Sequence, residues 1–157
     1  MSDDPAGRKH PIHQPVYERF NTPVIVFVTI CTKDRKAVLA NAEVHAALRA
    51  AWDQAENWLV GRYMIMPDHV HLFCAPVPLV PEPLQGWVGF WKSTAVRHWP
   101  KPGQLPIWQR HFWETQLRCG ESYDAKWEYV LENPVRAGLV SKSEDWPYQG
   151  EMNVLTW

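Results

Sequence analysis

Two histidines, His69 and His71, stand one residue apart inside the stretch Arg62 to Ala75, which reads as a strand, a sharp break at Met66-Pro67-Asp68 and a second strand. Side chains alternate across a strand, so the two imidazoles share one face while Val70 turns to the other. A pair of neutral imidazoles on rigid backbone is half of a metal site, since histidine is the commonest metal ligand. Taken alone, the pair reads equally well as two polar residues at the start of a strand. A second group of chemistry-bearing residues lies nearer the C-terminus. Tyr123, Trp127 and Val130 recur at helical spacing and form a core stripe, which leaves Tyr129 off it with Lys126, Glu132 and Asn133 as neighbours. Tyr129 and Asn133 thus share a polar helix face. In the functional reading Asn133 lends an amide oxygen as third ligand and Tyr129 stands one turn away as a nucleophile. In the plain reading Tyr129 is a part-buried tyrosine with a bonded hydroxyl, and Asn133 is a helix-end residue before Pro134.

The elements that must position these groups follow from periodicity. Val24 to Thr32 is continuous and β-branched, as in a strand buried on both faces. Asn41 is a good N-cap for a helix reaching about Asn57, with Val44, Leu48, Ala51 and Trp52 on its inner face. Trp58 to Ile65 and His69 to Ala75 are two strands joined too tightly for a crossover, hence antiparallel. Leu84 to Trp99 is a helix with a Leu84, Trp87, Val88, Trp91, Ala95 stripe. Ile107 to Arg118 is a strand, or a strand followed by an irregular piece. Ser122 caps a last helix that Pro134 ends, and Gly138 suits a left-handed turn. The order β-α-β-β-α-β-α is an α+β, ferredoxin-like split-βαβ antiparallel sheet with an additional C-terminal helix carrying the tyrosine. Residues 1–21, polar and aperiodic, are expected to be an irregular arm, and 22–157 a single domain.

Composition narrows the class. With 157 residues, 46% hydrophobic and 21% charged, the chain matches one soluble domain. It has no apolar run of spanning length and no apolar leader core, so a cytoplasmic location is expected. Its three cysteines, Cys31, Cys74 and Cys119, include no CxxC pair, which disfavours a cysteine-type zinc cluster. The net charge of −1 is no footprint for nucleic acid, so any phosphate binding must use local basic surface.

In combination the motifs carry a resemblance. His69-Val-His71 after Met66-Pro67-Asp68, with Tyr129-x-x-x-Asn133-Pro134-Val-Arg-Ala-Gly-Leu-Val140, resembles the single-tyrosine transposases of the His-hydrophobic-His nuclease class, and most closely the REP-associated tyrosine transposases. Trp108 to Arg118 is similar to the segment before that family's tyrosine helix, and Phe27-Val-Thr29 to its first strand. The likeness covers about residues 20–146. It implies a divalent metal, Mg2+ or Mn2+, on His69, His71 and Asn133. It also implies that Tyr129 attacks a DNA phosphodiester to give a 5′-phosphotyrosine and a free 3′-hydroxyl, on single-stranded or hairpin DNA such as repetitive palindromes. Lys92, Arg97, Arg110, Arg118 and Arg136 are candidate phosphate contacts, and Trp108, Phe112 and Trp113 candidate stacking platforms near the site. A monomer is favoured, because one chain carries both the tyrosine and the third ligand, with a homodimer as the other possibility. The alternative function is a hairpin-binding transposase descendant without chemistry. A metal-binding structural domain would leave the basic clusters incidental. A histidine-triad nucleotide hydrolase would need a third histidine where Phe73 stands.

Overall fold

The computed structural model describes residues 24–79, 82–117 and 120–156. The arm expected over residues 1–21 lies outside them, as do Arg118 and Cys119. The chain begins with β1 (Ile25–Cys31), buried at every position as its uninterrupted β-branched sequence requires. Helix α1 (Ala42–Gln54) follows, and its N-cap is the expected one: the Asn41 side chain accepts from the Val44 N–H at 2.9 Å. Strands β2 (Trp58–Ile65) and β3 (His69–Pro76) form the antiparallel pair, and α2 (Leu84–Arg97) crosses back.

Strand β4 is Trp113–Leu117, so only the second half of the aromatic stretch from Ile107 is regular strand. Its first half runs beneath α2, where Ile107 and Phe112 are buried. Helix α3 (Gly120–Leu131) starts ahead of Ser122, which therefore lies within its first turn and is not its cap. A single turn, α4 (Asn133–Arg136), follows. Pro134 explains the break: it has no N–H to donate, and its ring excludes the carbonyl four residues back. Gly138 takes φ 74°, the left-handed turn its type allows. A short strand, β5 (Gln149–Glu151), closes the sheet against Arg62–Met64. Gln-Gly-Glu carries no strand signal, and its pairing comes from the tertiary structure.

The sheet order is β4-β1-β3-β2-β5 with every neighbouring pair antiparallel, an α+β split-βαβ sheet extended by one edge strand. Its two faces bury different sets. Val26, Val28, Ile30, Val70 and Leu72 join Leu48, Trp52, Trp87 and Trp91 of α1 and α2. Ile25, Phe27, Met64 and Phe73 join Tyr123 and Val130 of α3 with Trp146 and Leu155. Alternation along β3 assigns the histidines to the α3 face. Close approach there is secured by Gly61, where a Cβ would stand 2.6 Å from Leu155 Cδ1 and 2.8 Å from the Tyr123 hydroxyl. Among the described residues no helix is long and apolar enough to cross a membrane.

Candidate active site

The register explains how four strands build one row. Thr29 on β1 lies opposite both His71 on β3 and Trp113 on β4, and His71 lies opposite Met64 on β2. Cys31 faces His69 one step along. The His69 and His71 rings meet edge to face with centroids 4.7 Å apart, while Phe27 stacks on His71 at 5.2 Å.

Each imidazole is anchored through its Nδ1. His69 Nδ1 lies 2.7 Å from Asp68 Oδ1; a carboxylate only accepts, so His69 donates and its Nε2 is left as the available nitrogen. Asp68 in turn accepts from Arg35 Nε on its other oxygen, at 3.0 Å. Asp68 is pushed down to about 2, first by the hydrogen bond from His69 and then by that from Arg35, against burial, which acts the other way. Asp68 closes the Met-Pro-Asp break, and its side chain holds His69 through the Nδ1 hydrogen bond. Arg35 reaches it from a loop in which Asp34 and Arg35 take φ 56° and 53°. Left-handed backbone at consecutive non-glycine residues is costly, about 1–3 kcal/mol each, and is found where surrounding contacts demand it.

His71 is only 3% exposed, and its Nδ1 is 2.8 Å from Thr29 Oγ1, which is also buried. The His71 tautomer in which Nδ1–H donates to that hydroxyl is the one that presents Nε2, as His69 does. Burial, then the charges of His69 and Lys126, hold its imidazole well below the ordinary histidine range, hence neutral and able to donate a lone pair.

Helix α3 lies over this row. Tyr123 and Trp127 pack on Phe73, and Lys126 places its Nζ 4.8 Å from the Phe27 centroid. Tyr129 points off the packed stripe and is 51% exposed. Arg136 from α4 covers its ring, with Cζ 4.2 Å from the centroid. The Arg136 Nη2 also donates to the Tyr129 carbonyl and to Asn133 Oδ1. Asn133 therefore lies beyond the end of α3, on the separate turn of α4, and is tied to Tyr129 through Arg136.

The remaining candidates divide between the faces. Trp113 is in the histidine row, and among the described residues its indole N–H has no partner. Lys92 and Arg97 belong to α2 on the opposite side: Lys92 donates to the Gln109 carbonyl at 2.8 Å and Arg97 to the Thr94 hydroxyl. Desolvation pulls Lys92 down to about 8. Trp108 and Phe112, expected near the site, pack into the α2 face instead, Trp108 edge-on to Trp91 and Trp99. The irregular approach to β4 carries them there. Arg110 is exposed, and Arg118 lies outside the described residues. Arg35 and Lys126 were not singled out as site residues from the sequence. Lys126 had one usable signal, its place three residues before Tyr129.

No protein-family model matches the chain. A REP-associated tyrosine transposase of Escherichia coli (strain K12) is 25% identical over 126 residues, 78% of this chain and 73% of that protein. A Haemophilus influenzae protein assigned provisionally to the same group is 31% identical over 98 residues, 54% of this chain and about half (53%) of the relative. Among solved structures, a REP-associated tyrosine transposase bound to a REP hairpin superposes with TM-score 0.69 at 23% identity, covering 87% of this chain and 82% of that one, which establishes a shared fold. In sequence and in fold, the chain thus resembles the REP-associated tyrosine transposases.

Proposed function

We propose that this protein is a metal-dependent enzyme that nicks and rejoins single-stranded or hairpin DNA of the repetitive palindromic type, with Tyr129 as nucleophile. One observation carries the reading. Two adjacent imidazoles are each anchored at Nδ1, by Asp68 and by Thr29, on the sheet face covered by α3, the helix that carries Tyr129. Anchoring of this kind orients ligands and raises their basicity. A REP-associated tyrosine transposase of the same fold was solved bound to a REP hairpin, which supports the choice of substrate.

His69, His71 and Asn133 would hold the metal; two imidazole nitrogens and an amide oxygen suit manganese at least as well as magnesium. When bound, the metal supplies positive charge to the scissile phosphate. The chain's own residues do the rest. Tyr129 Oη forms a bond to phosphorus, the bond from phosphorus to the 3′-oxygen breaks, and that oxygen leaves with the electron pair and gains a proton as the phenol loses one. The result is a 5′-phosphotyrosine and a 3′-hydroxyl, with the phosphodiester conserved for rejoining. Arg136, lying on the Tyr129 ring and bonded to Asn133, fixes nucleophile and third ligand relative to each other. Both groups come from one chain, so a monomer can complete the site.

The test is incubation of a labelled hairpin set with Mn2+ or Mg2+, comparing the wild type with Tyr129→Phe on denaturing gels with and without protease. A protease-sensitive adduct absent from the variant is expected. Cutting that persists in Tyr129→Phe would move the chemistry to an activated water, and hairpin binding without cutting in the wild type would favour the binding-only alternative.

A further inference from the structure

The ammonium of Lys126 stands between the two halves of the site. Its Nζ is 4.8 Å from the Phe27 centroid and 5.6 Å from the Tyr129 centroid. Phe27 is the ring stacked on His71 at 5.2 Å, with 23° between the planes. Lys126 therefore has the metal-ligand row on one side and the phenol on the other. It sits three residues before Tyr129 on α3, so the helix fixes both side chains on neighbouring lines. A lysine that only packed its stem would carry its charge out to water; this one keeps its charge over two aromatic faces within the site. A reacting phosphodiester must occupy the space between metal ligands and nucleophile, and it brings a negative charge there.

We propose that Lys126 is a catalytic residue of this reaction, its ammonium contacting a non-bridging oxygen of the scissile phosphate and stabilising the charge that develops during attack by Tyr129. The inference rests on the function proposed above and adds a residue to it. Fixed cationic or N–H donors aimed at developing charge contribute about 100- to 1,000-fold in rate where they have been removed. Lys126 shares the space with a bound cation, so its charge opposes metal binding in the absence of DNA and is compensated once the phosphate enters.

The variants are Lys126→Met, which keeps the stem and removes the charge, and Lys126→Arg, which keeps the charge. In single-turnover adduct formation Lys126→Met should be slower by about 100-fold, with Lys126→Arg recovering part of the loss. Hairpin affinity and Tm should stay near wild type. Mn2+ titration of the DNA-free protein should show Lys126→Met binding at least as tightly as the wild type. A strand with a neutral methylphosphonate at the scissile step should bring wild type and Lys126→Met to similar rates, since no anion remains to be matched. Wild-type rates in Lys126→Met would overturn the inference while leaving the tyrosine reading intact. So would equal losses in both variants accompanied by a lowered Tm, the mark of a packing role. Absence of any adduct from the wild type would refute the tyrosine reading and this inference with it.

Discussion

Replacing Asp68 with asparagine removes one charge from the Arg35–Asp68–His69 chain and nearly preserves its shape. The carboxyl titrates at about 2 in the folded protein against 3.8 for the free group. A difference of nearly two units at about 1.4 kcal/mol each is worth roughly 2 kcal/mol. The Asp68 side chain is 28% exposed and its Arg35 partner 42%, so solvent screening reduces this to about 1–2 kcal/mol. The folded value is depressed, so the contribution is complete above the unfolded value and is lost as pH falls through the range from about 4 to about 2. By pH ~3 about half of it is gone. For a chain of this size that corresponds to a Tm about 2–8 °C lower for Asp68→Asn at pH 7. The assay is thermal unfolding of both proteins from pH 7 to pH 3; all other carboxylates cancel in the difference. The gap should narrow toward acid and be about half its neutral size at pH 3. A gap that is constant with pH, or absent at pH 7, would refute the assignment of Asp68 as an ionised anchor for His69.

Two further outcomes follow from buried contacts. Thr29→Val keeps volume but leaves His71 Nδ1 without its partner, so Tm should fall by an amount equivalent to about 1–3 kcal/mol. Mn2+ affinity should weaken about 10- to 100-fold by calorimetric titration, and unchanged binding would show that His71 needs no anchor. Gly61→Ala forces a methyl against Leu155 and the Tyr123 hydroxyl, and denaturant titration should show about 1–3 kcal/mol of destabilisation. Full stability of that variant would mean that α3 and the C-terminal segment are docked more loosely than the geometry requires.

The parts legible in the sequence were those carried by local pattern. The β-branched run of β1, the Asn41 cap, the two strands around Met66-Pro67-Asp68 and the tyrosine helix each announce themselves within a few residues, and together they specify the split-βαβ order. The pairing of His69 with His71 needs only strand alternation. The supports of those histidines were not legible in this way. Thr29 reaches His71 across 42 residues of sequence through strand register, and Arg35 reaches Asp68, the anchor of His69, across 33 from a left-handed loop. Trp108 and Phe112 misled because an aromatic run reads as continuous strand, whereas only Trp113–Leu117 pairs and the preceding residues turn beneath α2. Asn133 was placed on the tyrosine's helix by counting four residues, but Pro134 interrupts the count. Strand β5 has no apolar alternation to detect, because its edge position asks only for backbone bonds.

The proposed reaction turns on a covalent bond between Tyr129 and DNA. Trypsin cuts after Lys126 and Arg136, releasing Trp127 to Arg136 as a peptide with a single tyrosine. Hairpin DNA should be reacted with the protein and Mn2+, digested with nuclease and trypsin, and the peptides weighed and fragmented by mass spectrometry. This peptide should carry a nucleotide through its 5′-phosphate, with the added mass on Tyr129. A cut strand with that peptide unmodified, or with the nucleotide on another residue, would contradict the proposal.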